Sequence, residues 1–322
     1  MKKKLHDSFL LELSKHFPRK VDMVNFICDE FAFEKEAIYR RLSGKVNFTA
    51  DEMGVISKRL DISLDNLLYE DDKFQRVPFI MNQPLQFNSM DSICNSIEAT
   101  LQLVENMNND EPTEHGCIYN ILPLEFIFDY PLLWKFCFFR LGYYFVKSDE
   151  FKNFNDWALP IKLFNLSKKI EQIYNYRKVF YIWDISLLWS FCLDIENFMA
   201  IDIINTQEGE DIKNDLKKVL FDIEKILDGT YRPQFNFAPE TDFYVSNGAL
   251  GFSGVYYQNS HSSYALVGNT FNNMVVNNAR DNFDKVKGWI KSFQNISTHI
   301  SGSGRRERKL FFDNQRKILD KF

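Results

Sequence analysis

The chain has 322 residues, 45% of them hydrophobic and 16% aromatic, and a formal net charge of −5. That length supports two or three domains, and so many aromatic residues exclude wholesale disorder. The acidic balance excludes a general attraction to nucleic acid, so such a partner must be met by a local basic surface.

Residues 1–4 form a basic arm that either reaches phosphate or frays, as termini commonly do. Residues 5–17 are predicted to form a first helix, with Phe9, Leu10, Leu13 and Phe17 on one side and Pro18 as its stop. Val24, Ile27, Cys28 and Phe31 recur at the spacing i, i+3, i+4, i+7, which predicts a second helix with one stripe toward a core. Ala37, Ile38 and Leu42 give a third helix a narrow apolar side. At about 100° per residue, Glu36, Tyr39, Arg40 and Ser43 then lie opposite it. Gly44 suits the left-handed position that ends a helix. Thr49 and Glu52 read as a capping box that opens a fourth helix, with Met53, Ile56 and Leu60 inward. Ser63 can cap a short fifth helix carrying Leu64, Leu67 and Leu68.

The segments IYRRLSGK (38–45), the polar turn 46–49 and SKRLDISLDNLL (57–68) resemble the helix-turn-helix DNA-binding domain of phage-repressor-like (XRE-type) regulators. More narrowly, the chain resembles Bacteroidetes regulators with this domain at the N-terminus and a long helical region behind it. The tail HISGSGRRERKLFFDNQRKIL (299–319) is similar to the tail of that group. The resemblance implies a cytoplasmic transcriptional regulator that binds double-stranded DNA as a homodimer. Aligned on Ile38 and Gly44, its base-reading positions fall on Lys35, Glu36, Tyr39 and Arg40, in a recognition helix spanning about 34–43. Arg41, Ser43, Lys45 and Thr49 are better placed as phosphate contacts, which position a domain without reading sequence.

The chain departs from that pattern where its recognition helix opens with Glu34 and Glu36, in place of small polar residues and amides. Acidic side chains suit a helix N-terminus but repel phosphate. Asp29 and Glu30 also stand among the bases Arg19, Lys20, Lys35, Arg40, Arg41 and Lys45. A protein-interaction adaptor is therefore the alternative to a DNA-binding regulator.

Pro78 and Pro84 break any helix in the stretch 70–88, which gives a first domain at 1–70, a linker at 71–88 and a regulatory region at 89–322. Residues 90–107 are predicted helical, with Met90, Ile93, Ile97, Leu101 and Val104 at steps of three and four. That stripe either packs inside its own domain, the preferred reading, or pairs with a second subunit. Residues 108–116 read as a loop. Helices are predicted at 122–128, 131–146, 160–176, 180–197 and 207–227, joined by short connections as in an antiparallel array. A tetratricopeptide-like array is an analogy only, because no repeat near 34 residues is present.

Residues 126–146 are very apolar, yet Asp129, Pro131, Lys135 and Arg140 interrupt them. A membrane span needs about 20 mostly apolar residues, so a buried helix and no membrane contact are expected. The three N-terminal lysines have no apolar segment behind them, so no signal peptide is expected. Between 241 and 277, four short strands (243–245, 254–258, 264–267, 274–276) and the turns Asn247-Gly248 and Asn259-Ser260 predict a small antiparallel sheet. A helix at 281–293 follows. Residues 301–304 (Ser-Gly-Ser-Gly) read as a hinge in preference to a phosphate-binding nest. A last helix at 305–321 is expected to turn Leu310, Phe311 and Ile318 inward. The expected fold is mainly α: a helix-turn-helix domain, a helical array and a small antiparallel β element near the C-terminus.

The five cysteines, Cys28, Cys94, Cys117, Cys137 and Cys192, have no metal-ligand spacing, and the five histidines are scattered. Reduced thiols, no metal and no cofactor are expected. GxSxG and HExxH motifs are absent. Asp184 and Asp194, set among aromatic residues, read as structural acids, so an enzyme is not expected. The region after the linker is expected to dimerise and to receive an unidentified small-molecule or protein signal.

Overall fold

The structure, a computed structural model, describes residues 5–60, 62–68, 79–81, 89–108, 113–146, 148–173, 176–229, 240–268, 273–276 and 280–322. The basic arm 1–4 and, apart from 79–81, nearly all of the linker stretch lie outside the described residues. The chain divides into two units, Met1–Ile80 with Val276–Lys285, and Met81–Val275 with Val286–Phe322.

The first unit holds α1 (Leu5–Lys15), α2 (Lys20–Phe31), α3 (Lys35–Leu42), α4 (Ala50–Leu60) and α5 (Leu64–Leu68). The apolar stripes meet as their spacing requires: Phe9, Leu13, Val24, Ile27, Ile38 and Ile56 share one core with Phe48. Each such side chain contributes roughly 1.5–3 kcal/mol when fully buried. Leu68 does not join them and is exposed. His6 on α1 ties the loop between α3 and α4 to this core, because its Nε2 accepts from the Phe48 N–H at 3.0 Å.

Beyond α5 the described elements are β1 (Phe79–Met81), α6 (Met90–Asn108), β2 (Thr113–Tyr119), α7 (Pro131–Leu141), α8 (Ile161–Ile173), β3 (Tyr176–Trp183), α9 (Trp189–Ala200), α10 (Thr206–Asp228), β4 (Glu240–Ser246), β5 (Ser253–Gln258), β6 (Ser263–Gly268), β7 (Asn273–Val276), α11 (Arg280–Ser292), β8 (Ser297–His299) and α12 (Arg305–Lys321). In the second unit β2 to β8 form one mixed sheet in the order β7-β6-β5-β2-β3-β4-β8. β2, β3 and β4 run parallel, with Cys117 opposite Tyr181 and Tyr181 opposite Phe243. The other registered pairs, β2–β5, β5–β6, β6–β7 and β4–β8, are antiparallel. α7 and α8 lie in the crossover from β2 to β3, and α9 and α10 in that from β3 to β4, since parallel neighbours need long connections.

This architecture corrects the expected mainly-α fold with one small antiparallel element. The strands come from across the chain, and β2 and β3 interrupt the stretch expected to be a helical array. β2 falls where a loop was expected, and β3 overlaps the predicted helices 160–176 and 180–197. The physical reason is burial on both faces. Val179, Phe180, Tyr181, Ile182 and Trp183 are all buried, so β3 is a continuous apolar run without alternation. Periodicity alone cannot tell such a run from a buried helix. β4 to β7 match the predicted strands, but β4 pairs parallel to β3 and so leaves the expected antiparallel meander.

The aromatic excess fills the core of the second unit. Tyr181 stacks on Phe243 at 4.8 Å, and Trp183 meets Phe243 edge-on at 5.1 Å. The predicted helix at 131–146 is present: α7 covers Pro131–Leu141 and runs on as a π-helical turn over Gly142–Val146, with Leu133, Trp134, Phe136, Phe138 and Phe139 buried. Among the described residues no helix is long and apolar enough to cross a membrane. The stripe of α6 is buried within its own unit, with Ile93, Leu101 and Val104 in the main core, so it is not left open for a second subunit. On α12 the inner face is Phe311, Phe312, Ile318 and Leu319, whereas Leu310 is exposed. The 301–304 segment is bonded to both α12 and α10. Arg308 Nη1 donates to the carbonyls of Ile300 and Gly302, and the Gly302 N–H donates to Leu227 O.

Candidate nucleic-acid interface

α2 ends where Ala32 adopts a left-handed conformation with φ 53°, its N–H donating to Cys28 O. Helix-turn-helix motifs make a tight turn of this kind, often with glycine. α3 begins at Lys35, and the Ala37 and Ile38 N–H groups donate to Glu34 O. Ile38 is fully buried and fixes the rotation of α3. Its opposite face is therefore turned outward: Lys35, Glu36, Tyr39, Arg40 and Ser43 are exposed. Lys20 Nζ on α2 lies 5.7 Å from the centre of the Tyr39 ring.

After α3 the backbone folds back at Gly44, with φ 71°, and the Lys45 and Val46 N–H groups donate to Arg40 O. Ser43 Oγ donates to the same carbonyl at 3.0 Å, so its one proton is already engaged. The predicted capping box is present. Thr49 Oγ1 accepts from the Glu52 N–H, and the Thr49 N–H donates to Glu52 Oε2 at 2.8 Å. Lys45 is exposed beside this turn.

Arg41 stands apart from the other expected phosphate contacts. Its Nη2 and Nε donate to Glu52 Oε1 and Oε2 at 2.9 and 3.2 Å. Its guanidinium lies 4.6 Å from the centre of the Phe33 ring. Only 17% of the side chain is exposed. It clamps α3 to the start of α4 and is not presented on the outer face. Neither this clamp nor the His6 bond was foreseen from the sequence. The Thr-x-x-Glu signal pointed to Glu52, but only as a helix cap.

Burial alone raises the Glu52 carboxyl, but the bonds from Arg41 and from the Thr49 N–H outweigh it and leave it below its ordinary value of 4.5. A depressed carboxylate stabilises the fold above the unfolded value, and that contribution is lost as pH falls through the folded value. Glutamine can still cap the helix, so Glu52→Gln is expected to cost about 1 kcal/mol at pH 7, the scale of the lost ion pair with Arg41, and less near pH 2. Urea titrations at both pH values check this; an equal cost at both would remove the charge from the account.

Other polar clusters among the described residues are engaged in local hydrogen bonds. His299 Nε2 faces both Asp242 Oδ1 at 3.1 Å and Ser301 Oγ at 2.8 Å. A proton relay needs the carboxylate and the hydroxyl on different ring nitrogens. Asp184 accepts from Ser186 N–H and Oγ through one oxygen and from the Leu250 N–H through the other. Asp194 is held by Arg140 and Tyr144.

The side chains that this unit brings to one outward face are Lys35, Glu36, Tyr39 and Arg40, with Lys45 just beyond. Comparison with protein-family models, curated proteins and solved structures finds no match to the chain.

Proposed function

We propose that the protein is a sequence-specific DNA-binding transcriptional regulator of XRE type, acting in the cytoplasm, with α3 as its recognition helix. The observation that carries this reading is the outward face of α3, set on a tight left-handed turn and stiffened by the Arg41–Glu52 clamp. The major groove admits a helix of this kind. Arg40 reads guanine through O6 and N7, and Glu36 accepts from cytosine N4. Tyr39 packs on a thymine methyl, and Lys35 reaches a base edge at the helix start. Lys45 and Thr49 hold phosphates, and Ser43 does so by giving up its bond to Arg40 O. Arg41 acts by holding α3 in place. A homodimer on two half-sites about one turn apart follows from two-fold symmetry, and the second unit supplies the dimer contacts and receives a signal.

Glu34 and Glu36 on the same face favour a second reading, a protein-interaction adaptor that docks through α3. Binding of the full chain to duplexes from its own upstream region and to a random duplex, over a salt series, separates the two. Preference for one duplex with a negative salt slope supports the regulator; no binding to any duplex at low salt supports the adaptor. Within the first reading, Arg40→Ala is expected to weaken the preferred duplex by about 1–3 kcal/mol and the random one much less. Lys45→Ala is expected to weaken both alike and to lower the salt slope by about 1. Equal losses on the two duplexes for Arg40→Ala would remove it as the reader.

A further inference from the structure

The second unit contains a cavity of about 330 Å³ between α6, α7 and the sheet. That is within the range of small-molecule sites, which are mostly apolar with a few placed polar groups. Leu101, Val104, Val255 and Leu266 form much of its apolar wall. Two polar side chains of its lining, Glu125 and Arg140, come from different elements.

Arg140 is only 4% exposed. Its Nη1 donates to Asp194 Oδ2 at 2.7 Å, and its guanidinium lies 4.8 Å from the centre of the Phe191 ring. Its Nε–H, however, is buried and has no hydrogen-bond partner among the described residues. A buried donor left this way costs about 1–3 kcal/mol, a penalty that a ligand acceptor would remove. Glu125 is part-buried, and Tyr119 Oη donates to its Oε1 at 3.1 Å. Burial pushes its carboxyl up to about 7, against its own backbone N–H and the Tyr119 bond. Near neutral pH a large share of Glu125 therefore carries a proton that it can donate. The other titratable groups in the lining are Tyr119 on β2, Cys137 and Arg140 on α7, and Tyr257 on β5. Burial raises the Tyr119 phenol and the Cys137 thiol, and Asp194 is the counter-ion of Arg140.

Two donors in an apolar cavity call for an acceptor head on a hydrocarbon body. We propose that this cavity binds a small amphipathic carboxylate of the medium-chain fatty-acid class. Its head accepts from the Arg140 Nε–H and the Glu125 O–H, and its chain lies against Leu101, Val104, Val255 and Leu266. The anionic head completes the bonding of Arg140 and in turn keeps Glu125 protonated. This inference concerns the second unit alone. It is read by ligand binding, so its failure and the failure of the DNA reading are separate events.

The test is calorimetric titration of the full chain with decanoate and with decanol, from pH 6 to pH 8. Decanoate is expected to bind once per chain, at least tenfold more tightly than decanol, and more weakly as pH rises through the Glu125 value. Glu125→Gln keeps a donor, so it is expected to retain binding and lose the pH dependence. Leu266→Trp fills the cavity and is expected to abolish binding, with circular dichroism melts verifying that both variants fold. Absence of decanoate binding, equal affinity for decanol, or unchanged binding in a folded Leu266→Trp protein would each overturn the proposal.

Discussion

Gly116→Ala is expected to destabilise the second unit by about 3 kcal/mol or more, at the upper end of what overpacking costs. Gly116 sits in the middle of β2, paired to Phe180 on one side and Tyr256 on the other. A Cβ there would lie 2.3 Å from Tyr256 Cε1 and 2.4 Å from Phe180 Cε1. Both rings are buried and cannot swing into water. Tyr256 is also tethered, because its hydroxyl donates to Glu114 Oε1 at 2.7 Å while Lys287 and Lys291 pair with the same carboxylate. That network holds the Glu114 carboxyl down at about 2 in spite of its burial. Urea unfolding of Gly116→Ala checks the prediction. Pairing it with Phe180→Leu should recover part of the loss, since one of the two clashing rings is then gone. A single variant within 1 kcal/mol of the parent would show that the rings yield.

Asp194→Ala is expected to cost about 3–5 kcal/mol, the usual result of stripping a buried charge of its partner. Only 5% of the Arg140 side chain and 19% of the Asp194 side chain are exposed. Removing the carboxylate leaves the guanidinium with the Phe191 ring and no counter-ion. Tyr144→Phe removes a single bond to Asp194 and should cost only about 1 kcal/mol. Replacing both partners, Arg140→Met with Asp194→Leu, should return most of the stability, because neither charge then needs solvation. Denaturant midpoints of the three proteins decide it. A double variant as unstable as Asp194→Ala would mean that packing, and not the stranded charge, carries the loss.

The first unit was legible because its signals are local. Thr49 and Glu52 cap a helix three residues apart, and Gly44 has the left-handed φ that its position at the helix end required. The outward set Glu36, Tyr39, Arg40 and Ser43 follows from the burial of Ile38 by helical period alone. Arg41 was not legible, because the choice between water and clamp depends on Glu52 and on the Phe33 ring, a matter of tertiary contact. The same distinction runs through the sheet. β5 and β6 are bounded by turn residues such as Asn259, whose Oδ1 accepts from the His261 and Ser262 N–H groups. β2 and β3 are inner strands buried between other elements, and periodicity cannot tell such runs from a buried helix. The cavity was invisible for a related reason: Glu125 and Arg140 read as ordinary charges until the fold removes water from around them.

The neighbours of β2 also set a timetable for synthesis. His115 on β2 bonds the carbonyl of Tyr256 on β5, 141 residues further along the chain. At roughly 5–20 residues per second, β2 leaves the ribosome on the order of ten seconds before β5 exists. The core of α1 to α5 is drawn from within residues 5–67, so its contacts close over shorter separations, which favours faster folding. One part of the nascent chain can thus be finished while the other still exposes an unpaired strand edge. Slowing translation upstream of residue 253 lengthens that interval, and with it the time in which two nascent chains can pair by mistake.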